Sequence, residues 1–384
     1  MMRICFVTHK VKKGDGQGRV NYEVIQEAVG QGHEIIIISS EISEDLKDHP
    51  LVEWKEVTVK GWPTELLRNQ VFAIGATIWL DRLRSRVDLT IVNGFVTYAR
   101  SDINCIHFVH SAWLASPYHP YQERRSPRSF YQYIYTSLNR YLERKAMKRS
   151  RTIVAVSEQV RMELVQYAGI GKERIAVIRN GVDLQEFYPR PVKRANLKLS
   201  EDTVYAMFAG DIRSSRKNLD TVLKALTKVH DVHLLVVGWT EGSIYPQMAA
   251  DLGIEDRVHF LGYRKDMAEL MSAADLFVYP SRYEPFALVI LEAMATGLPV
   301  IASRNCGAVE LLNEETAVIL DDPDDAVALA EAIRSCVYDR HRLKRMGEQA
   351  VHIAGGNSWN AMARHYSQLI DETARKKTFA AAKS

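Results

Sequence analysis

Glu284 and Glu292 frame a stretch that is otherwise apolar, Pro285-Phe286-Ala287-Leu288-Val289-Ile290-Leu291. The pattern predicts a loop that becomes a helix near Phe286 or Ala287. Pro285 fits its first turn, where a missing N–H costs nothing, and Gly297 with Pro299 ends it. A carboxylate on so apolar a helix needs partners. The two vicinal hydroxyls of a ribose would satisfy both oxygens of Glu292. Glu284 lies ahead of the helix, near its positive end, and can accept hydrogen bonds from a sugar ring. The structural alternative is that each glutamate pairs with an arginine. Unpaired N–H groups at the helix start, around Phe286, Ala287 and Leu288, favour a phosphate. Further upstream, Arg216 and Lys217 adjoin another helix start. Cations there are electrostatically misplaced unless an anion joins them, so the pair points to an anionic ligand, against the alternative of a solvated charge pair.

Elements of alternating type must position these groups. Arg3 to Val7 reads as a buried strand, Gly14 to Gly18 as a loop, and Arg19 to Gln31 as a helix with Val20, Val24, Ile25 and Ala28 on one face. The four isoleucines within Glu34 to Ser39 predict a strand buried on both faces of a parallel sheet. Asp88–Val92, Cys105–Val109, Thr152–Val156 and Arg174–Ile178 read as further strands. A second series starts at Val204–Phe208 and runs through His233–Val237, Val258–Leu261, Asp275–Tyr279, Pro299–Ala302 and Ala317–Ile319, with a helix over Asn218–Val229. Two such series predict an α/β protein of two Rossmann-like domains with parallel sheets. The expected boundaries are 1–183, 184–357 and a C-terminal helix, 358–384, that crosses back to the first domain and frays after Thr373.

Bulk properties agree with two soluble cores. The chain has 384 residues, 47% apolar and 25% charged, with a formal charge of +3. That charge is too weak to argue for nucleic acid, and no nucleic-acid partner is expected. The four scattered cysteines, Cys5, Cys105, Cys306 and Cys336, have neither disulfide-framework nor zinc-ligand spacing and suggest a reducing cytoplasm. The longest apolar run, Val71 to Leu80, is about half of what crosses a bilayer. No Asp-x-Asp metal motif stands out, and the acidic run Asp321 to Asp325 reads as a turn and helix start.

The segment from Glu284 to Glu292, followed by Gly297-Leu298-Pro299-Val300, resembles the signature of the retaining glycosyltransferases of family 4, group 1, and the resemblance extends over nearly the whole chain. It implies the GT-B arrangement of two Rossmann-like domains facing each other across a cleft. The N-terminal domain would bind the acceptor and the C-terminal domain the nucleotide-sugar donor. By this resemblance Glu284 contacts the transferred sugar, Glu292 holds the nucleotide ribose, and the backbone from Pro285 through Phe286, Ala287 and Leu288 meets the sugar and diphosphate. Arg216 and Lys217 match the diphosphate-binding pair, and Arg264, after Gly262-Tyr263, falls where the base is held. Asp211 departs from the arginine common in relatives, with Arg213 as a substitute. His110, after His107-Phe108-Val109, matches a histidine that faces the donor sugar. His107 is expected to point the other way or to sit within the strand. Gly16 and Gly18 match a first loop that closes over the diphosphate. The implied reaction retains anomeric configuration, takes a UDP- or GDP-sugar, UDP-glucose by default, and needs no metal cofactor. The acceptor would be a polysaccharide, glycolipid or small molecule in cell-envelope or exopolysaccharide synthesis.

The Tyr- and Arg-rich segment from Tyr118 to Arg151 carries Arg124, Arg125, Arg128, Arg144, Lys145, Lys148 and Arg149. It suggests a lipid-linked acceptor or an anionic membrane surface, hence a cytoplasmic protein peripheral on the inner membrane face. Trp62 to Leu83 is a companion, with Leu66, Leu67, Phe72 and Trp79 as apolar anchors. A solvated helix face over core aromatics is the plain alternative. Two further functional readings stay open: a catalytically silent nucleotide-sugar-binding protein, and an epimerase or phosphorylase-like enzyme on the same fold.

Overall fold

Alternation of β-rich apolar runs with amphipathic segments produces two parallel sheets, one in each of two units. The computed structural model describes residues 1–381. Unit 1 comprises Met1–Gly181 and the helix Trp359–Ala381, and unit 2 comprises Val182–Ser358. The C-terminal helix runs Trp359–Ala381. Residues 382–384, where the expected fraying also falls, lie outside the described residues.

In unit 1 the strands are β1 (Arg3–Val7), β2 (Lys10–Val11), β3 (Glu34–Ser39), β4 (Glu41–Ile42), β5 (Val52–Glu56), β6 (Leu89–Asn93), β7 (Ser101–Ile106), β8 (Ser150–Ala155) and β9 (Ile175–Val177). The main sheet is all parallel in the order β5-β3-β1-β6-β7-β8-β9, and β2 pairs β4 separately. Ile35 to Ile38 in β3 are each at most 1% exposed, as a strand covered on both faces requires. Beneath one face, Cys5, Val7, Ile36, Ile38, Phe72 and Ala76 belong to one buried cluster. The helix Glu65–Leu83 closes on Val57 so tightly that a Cβ at Gly75 would sit 2.8 Å from a Val57 methyl.

Unit 2 contains β10 (Val204–Ala209), β11 (Val232–Val237), β12 (Val258–Gly262), β13 (Leu276–Tyr279), β14 (Val300–Ser303) and β15 (Ala317–Leu320). Its sheet is parallel throughout in the order β12-β11-β10-β13-β14-β15. This is the doubly wound order, in which strands run outward in both directions from a central pair. Ligands bind such sheets beyond the carboxyl ends of the strands, where the order reverses. Here that point lies between β10 and β13. In unit 1 the equivalent reversal lies between β1 and β6.

Two expectations about local structure need correction. The strand expected over Cys105–Val109 is Ser101–Ile106, so His107 to His110 lie beyond it, and His110 opens a helix, His110–Ala115. The loop expected over Gly14–Gly18 ends early: Gly16 and Gly18 lie in the first turn of the helix Gly16–Gly30. Asp15 is its N-cap, its carboxylate accepting from the Gly18 N–H at 2.7 Å. That contact explains the glycine, since a Cβ at Gly18 would sit 3.0 Å from Asp15 Oδ1 and 3.1 Å from the Lys12 carbonyl oxygen.

Candidate functional site

At the carboxyl edge of the unit 2 sheet, the loops after β10 and β13 meet. Gly210 ends β10 and lets the Lys217 stem and the Tyr279 hydroxyl approach, its missing Cβ lying 3.5 Å from Lys217 Cγ and 3.7 Å from the Tyr279 oxygen. Gly238, after β11, packs against Gly210 so closely that a Cβ would lie 2.2 Å from the Gly210 carbonyl oxygen. Arg216 and Lys217 sit in a single 3-10 turn, Ser215–Lys217, ahead of the helix Leu219–Leu226. The turn is clamped to the loop after β13: the Arg216 carbonyl accepts from the Arg282 N–H at 2.9 Å and from Ser281 Oγ at 3.0 Å. Arg282 extends the clamp, donating to the Ser215 carbonyl at 2.8 Å and pairing with Asp220 and Asp324, each at 2.8 Å.

Asn218 joins these loops and was not singled out in the sequence. It is fully buried at φ +64°, and its Nδ2 donates to the carbonyls of Pro280 at 2.9 Å and Pro323 at 2.6 Å. Its Oδ1 accepts from Thr221 Oγ1 at 2.7 Å. Asparagine tolerates the left-handed conformation better than most residues, which is the signal that could have found it.

The clamped turn delivers Lys217 to Glu284. The Lys217 ammonium donates to Glu284 Oε2, and the Tyr279 hydroxyl donates to the same oxygen at 3.3 Å. The partner of Glu284 is therefore a lysine rather than the arginine considered as its structural alternative. Burial, and after it the neighbouring Arg216 charge, pulls the Lys217 ammonium down to about 7. Burial drives the Tyr279 phenol well above its ordinary range. Glu284 and Lys217 thus form a half-buried charge pair at a sheet edge, with Arg216 beside them.

The expected helix start is displaced. The helix runs Leu288–Ala295, and Ala287 is its N-cap at φ +76°, ψ +74°, with no side chain capping it. Pro285 is consequently in the loop, not in the first helical turn. A left-handed alanine stores of order 1–3 kcal/mol of strain. The loop is held from the other side: Glu284 N–H donates to the Asn305 carbonyl at 3.0 Å, and Gly307 and Ala308 N–H groups donate to the carbonyls of Glu284 and Phe286 at 2.9 and 2.6 Å. No side chain caps the helix start, the arrangement in which an anion can take the place of the cap. Glu292 lies in this helix, half-buried, and its charge bears on Tyr279.

Along the same edge, Arg264 is held by Asp266, with Nε to Oδ1 at 2.8 Å and a second contact at 2.5 Å. Beside it Tyr263 stacks on Trp239, ring centroids 5.2 Å apart and planes 14° from parallel. Both rings stay about half exposed, 53% for Trp239 and 54% for Tyr263. Trp239 follows Gly238 at the end of β11 and escaped the sequence reading. Arg213 is occupied by Asp211, through Nε at 2.8 Å and a second nitrogen at 3.2 Å, so it is not an unengaged substitute.

In unit 1 a pocket of about 270 Å³ opens at the carboxyl ends of β1, β6 and β7, lined among others by His9, Asn93, His107, His110, Tyr135 and Glu143. His110 keeps 22% of its side chain exposed. Glu143, 3% exposed, reaches under it from the helix Pro127–Arg149, accepting from the His110 N–H at 3.2 Å and lying 3.3 Å from Nδ1. A carboxylate on one imidazole nitrogen fixes the ring and leaves the other for a ligand. Glu143 was invisible in sequence because its neighbours are charged surface residues. His107, expected to point the other way or to sit within the strand, lines the same pocket and bonds Asn93 Nδ2 at 3.1 Å. Burial lowers it to about 4, so it is neutral. Phe72, expected as a surface anchor, is fully buried, and Trp79 packs against the core, whereas Leu67, Ile74 and Ile78 are exposed. On the helix Pro127–Arg149, Phe130, Ile134 and Tyr141 are exposed.

All four cysteines are free and buried, and burial raises Cys306, beneath the unit 2 site, to about 11. Among the described residues no group of three His, Cys, Asp or Glu is placed to hold a metal ion, and no helix is long and apolar enough to cross a membrane.

Two doubly wound parallel units, one with a cation–carboxylate cluster at its strand-order reversal, define the two-Rossmann, GT-B class. Residues 14–186 match the family described as Glycosyltransferase Family 4, and residues 189–352 match Glycosyl transferases group 1. The chain belongs to the family 4, group 1 glycosyltransferases. It is 31% identical over 255 residues to a D-inositol 3-phosphate glycosyltransferase of Corynebacterium kroppenstedtii, covering 62% of this chain and 56% of that protein. It is 32% identical over 181 residues to the lipopolysaccharide core biosynthesis glycosyltransferase LpsE of Rhizobium meliloti, covering 47% and 53%. The chain spans about half the length of the curated relatives it matches. In fold it is similar to sucrose-phosphate synthase from Thermosynechococcus elongatus, TM-score 0.80 at 21% identity over 99% of this chain and 100% of that one. It is also similar to Anabaena HepE in complex with UDP-glucose, TM-score 0.71 at 21% identity over 97% and 100%.

Proposed function

We propose that the protein is a retaining, metal-independent glycosyltransferase that moves a sugar from a UDP- or GDP-sugar to a carbohydrate, polyol or lipid-linked hydroxyl. The observation that carries this reading is the clustering of Lys217, Tyr279 and Glu284 beside the uncapped start of the helix Leu288–Ala295. A diphosphate is the anion suited to that helix start and to Arg216 and Lys217. With the diphosphate bound, Lys217 exchanges a carboxylate for phosphate oxygens and releases Glu284 to a sugar hydroxyl. Glu292 takes the ribose hydroxyls. The stacked faces of Trp239 and Tyr263, beside Arg264, suit a nucleobase at the end of β12.

In the reaction the bond from the anomeric carbon to the diphosphate oxygen breaks and a bond to the acceptor oxygen forms on the same face. The acceptor proton passes to the departing diphosphate. Arg216, Lys217 and the helix start stabilise the negative charge that builds there. Unit 1 supplies the acceptor pocket, with His110, oriented by Glu143, hydrogen-bonding the reacting sugars. Gly16 and Gly18, in the first turn of the helix Gly16–Gly30, flank Gln17 at the lining of that pocket and leave the backbone open to a ligand. The exposed Phe130, Ile134 and Tyr141, among the arginines and lysines of their helix, support a peripheral position on an anionic cytoplasmic membrane face. UDP-glucose and an envelope polysaccharide or glycolipid are the substrates we favour.

The test is release of nucleoside diphosphate from a panel of UDP- and GDP-hexoses, with and without sugar acceptors. We expect slow release by the native protein and at least a hundredfold loss in Glu284→Gln. Glu292→Ala should weaken nucleotide binding at least tenfold without changing sugar preference. A native protein that binds no nucleoside diphosphate sinks the reading. Tight binding without turnover on any acceptor favours the silent-binder alternative.

A further inference from the structure

The amino-terminal edge of the unit 1 sheet, opposite the edge that carries His110, holds a second and larger cavity of about 870 Å³. The starts of β6, β7 and β8 form its floor at Thr90, Ser101, Asp102 and Arg151. The ends of the helices Glu65–Leu83 and Pro127–Arg149 form its walls, and the C-terminal helix reaches it through Lys377.

Six cationic side chains line this cavity: Arg84, Arg100, Lys148, Arg149, Arg151 and Lys377. Two carboxylates, Asp81 and Asp102, face them. Asp102 is only 6% exposed and already committed. It accepts from the Thr90 N–H at 3.0 Å and pairs with Lys377 at 3.0 Å and Arg151 at 3.3 Å. Arg149 is tied to the Tyr98 carbonyl at 2.9 Å. Among the described residues Arg84, Arg100 and Lys148 meet no carboxylate at ion-pair distance.

Helix dipoles account for part of this charge. Arg84, Lys148 and Arg149 stand at helix carboxyl ends, where cations are favourable. They do not account for Arg100, Arg151 and Lys377, which arrive from a loop, a strand start and a third helix. Convergence of like charge from five separate segments around one concavity raises the local potential and concentrates counter-anions. The volume lies within the range of small-molecule sites, roughly 300–1000 Å³, and exceeds the needs of one phosphate. Leu80, Val87 and Ala99 add an apolar wall.

We propose that this cavity binds a ligand bearing two or more phosphate groups, at a site separate from the donor and acceptor pockets. The same chemistry is offered by a soluble polyphosphate or phosphate ester and by the headgroup of an anionic phospholipid. The inference rests on charge placement in unit 1 and does not depend on the activity proposed above.

The experiment uses the whole chain and the triple variant Arg84→Gln, Arg100→Gln, Lys148→Gln. These three exposed side chains support no buried contact, and an unchanged melting temperature confirms the fold. Inorganic tripolyphosphate is titrated calorimetrically at low salt with UDP saturating. Vesicles of phosphatidylglycerol in phosphatidylcholine are sedimented with the protein in parallel, against phosphatidylcholine alone. A soluble ligand is indicated if tripolyphosphate binding weakens at least tenfold in the variant. A headgroup is indicated if co-sedimentation with anionic vesicles is lost in the variant while tripolyphosphate binding is weak in both proteins. The proposal is overturned if the native chain binds neither probe, or if the variant binds both as the native chain does.

Discussion

At the scale of single residues, the unit 2 site turns on a lysine held away from its ordinary ionisation. Lys217 is drawn down to about 7 by burial and by Arg216. A bound diphosphate adds negative charge beside it and raises it again. Ligand binding then takes up a proton above pH 7, so affinity must fall as pH rises. Between pH 7 and 8.5, above the ionisation of a terminal phosphate near about 6, UDP affinity should drop by about tenfold, with proton uptake seen as buffer-dependent heat. In Lys217→Arg the side chain stays protonated, and the pH dependence over this window should vanish even if affinity itself suffers. A flat native profile would mean either that Lys217 is fully protonated in the free protein over this window or that it does not face the phosphates. The sequence marked Arg216 and Lys217 as cations at a helix start and marked Glu284 and His110 by their places at element ends together with the family resemblance; the structure brings Lys217 to Glu284. Glu143 was not readable: one acid among the arginines and lysines of its helix looks solvated until the fold buries it under His110.

At the scale of elements, most strands of both sheets were legible, because runs such as Ile35–Ile38 and Leu234–Val237 leave little choice but a buried parallel strand. The edge strand β5 was not, since Val52–Glu56 is only half-buried and carries three charged residues. The ends of the strands were less legible than their middles. The apolar run through Phe108 and Val109 extended the reading of β7 past Ile106, since an apolar residue in a buried loop looks the same as one in a strand. The helix after Glu284 started late for a related reason. Its left-handed Ala287 has no local sequence cause and is imposed by the hydrogen bonds from Gly307 and Ala308. Asn218 shows how loops are fixed where propensity is silent. Asn218→Ala loses the buried bonds to Pro280 and Pro323 and puts a Cβ residue without local compensation at positive φ. Each lost buried bond costs about 1–3 kcal/mol, so unit 2 should be destabilised by about 3 kcal/mol. Asn218→Gly keeps the backbone conformation and should recover about 1 kcal/mol of that. Urea denaturation of both variants gives the difference. Equal stabilities would show that the left-handed backbone carries no strain here.

At the scale of the molecule, the chain leaves unit 1 at Gly181 and returns at Trp359, so the first unit to begin is the last to be completed. The return is prepared by the pairing of Val182 with Ser358, reinforced by the Val182 N–H to the Asn357 carbonyl at 3.0 Å. The two series of strands marked a boundary near Asp183, but the sequence could not show which side chains anchor the last helix, because its mixed apolar face fits many surfaces. In the structure Trp359, Met362, Ala363, Tyr366 and Ile370 are buried, Arg19 lies over the Trp359 ring at 5.6 Å, and Ser367 bonds Gln31 at 2.8 Å. Fully burying a large apolar side chain is worth roughly 1.5–3 kcal/mol, and a typical domain holds only about 5–15 kcal/mol in reserve. A chain ending at Ser358 should therefore lose much of the stability of unit 1 while keeping every side chain of the unit 2 site. We expect its thermal unfolding to separate into two transitions, the lower from unit 1, with UDP binding surviving that lower transition. Calorimetry with and without UDP reads both. A single transition at the native temperature would show that the helix contributes little, and UDP binding lost together with the lower transition would show that the unit 2 site depends on unit 1.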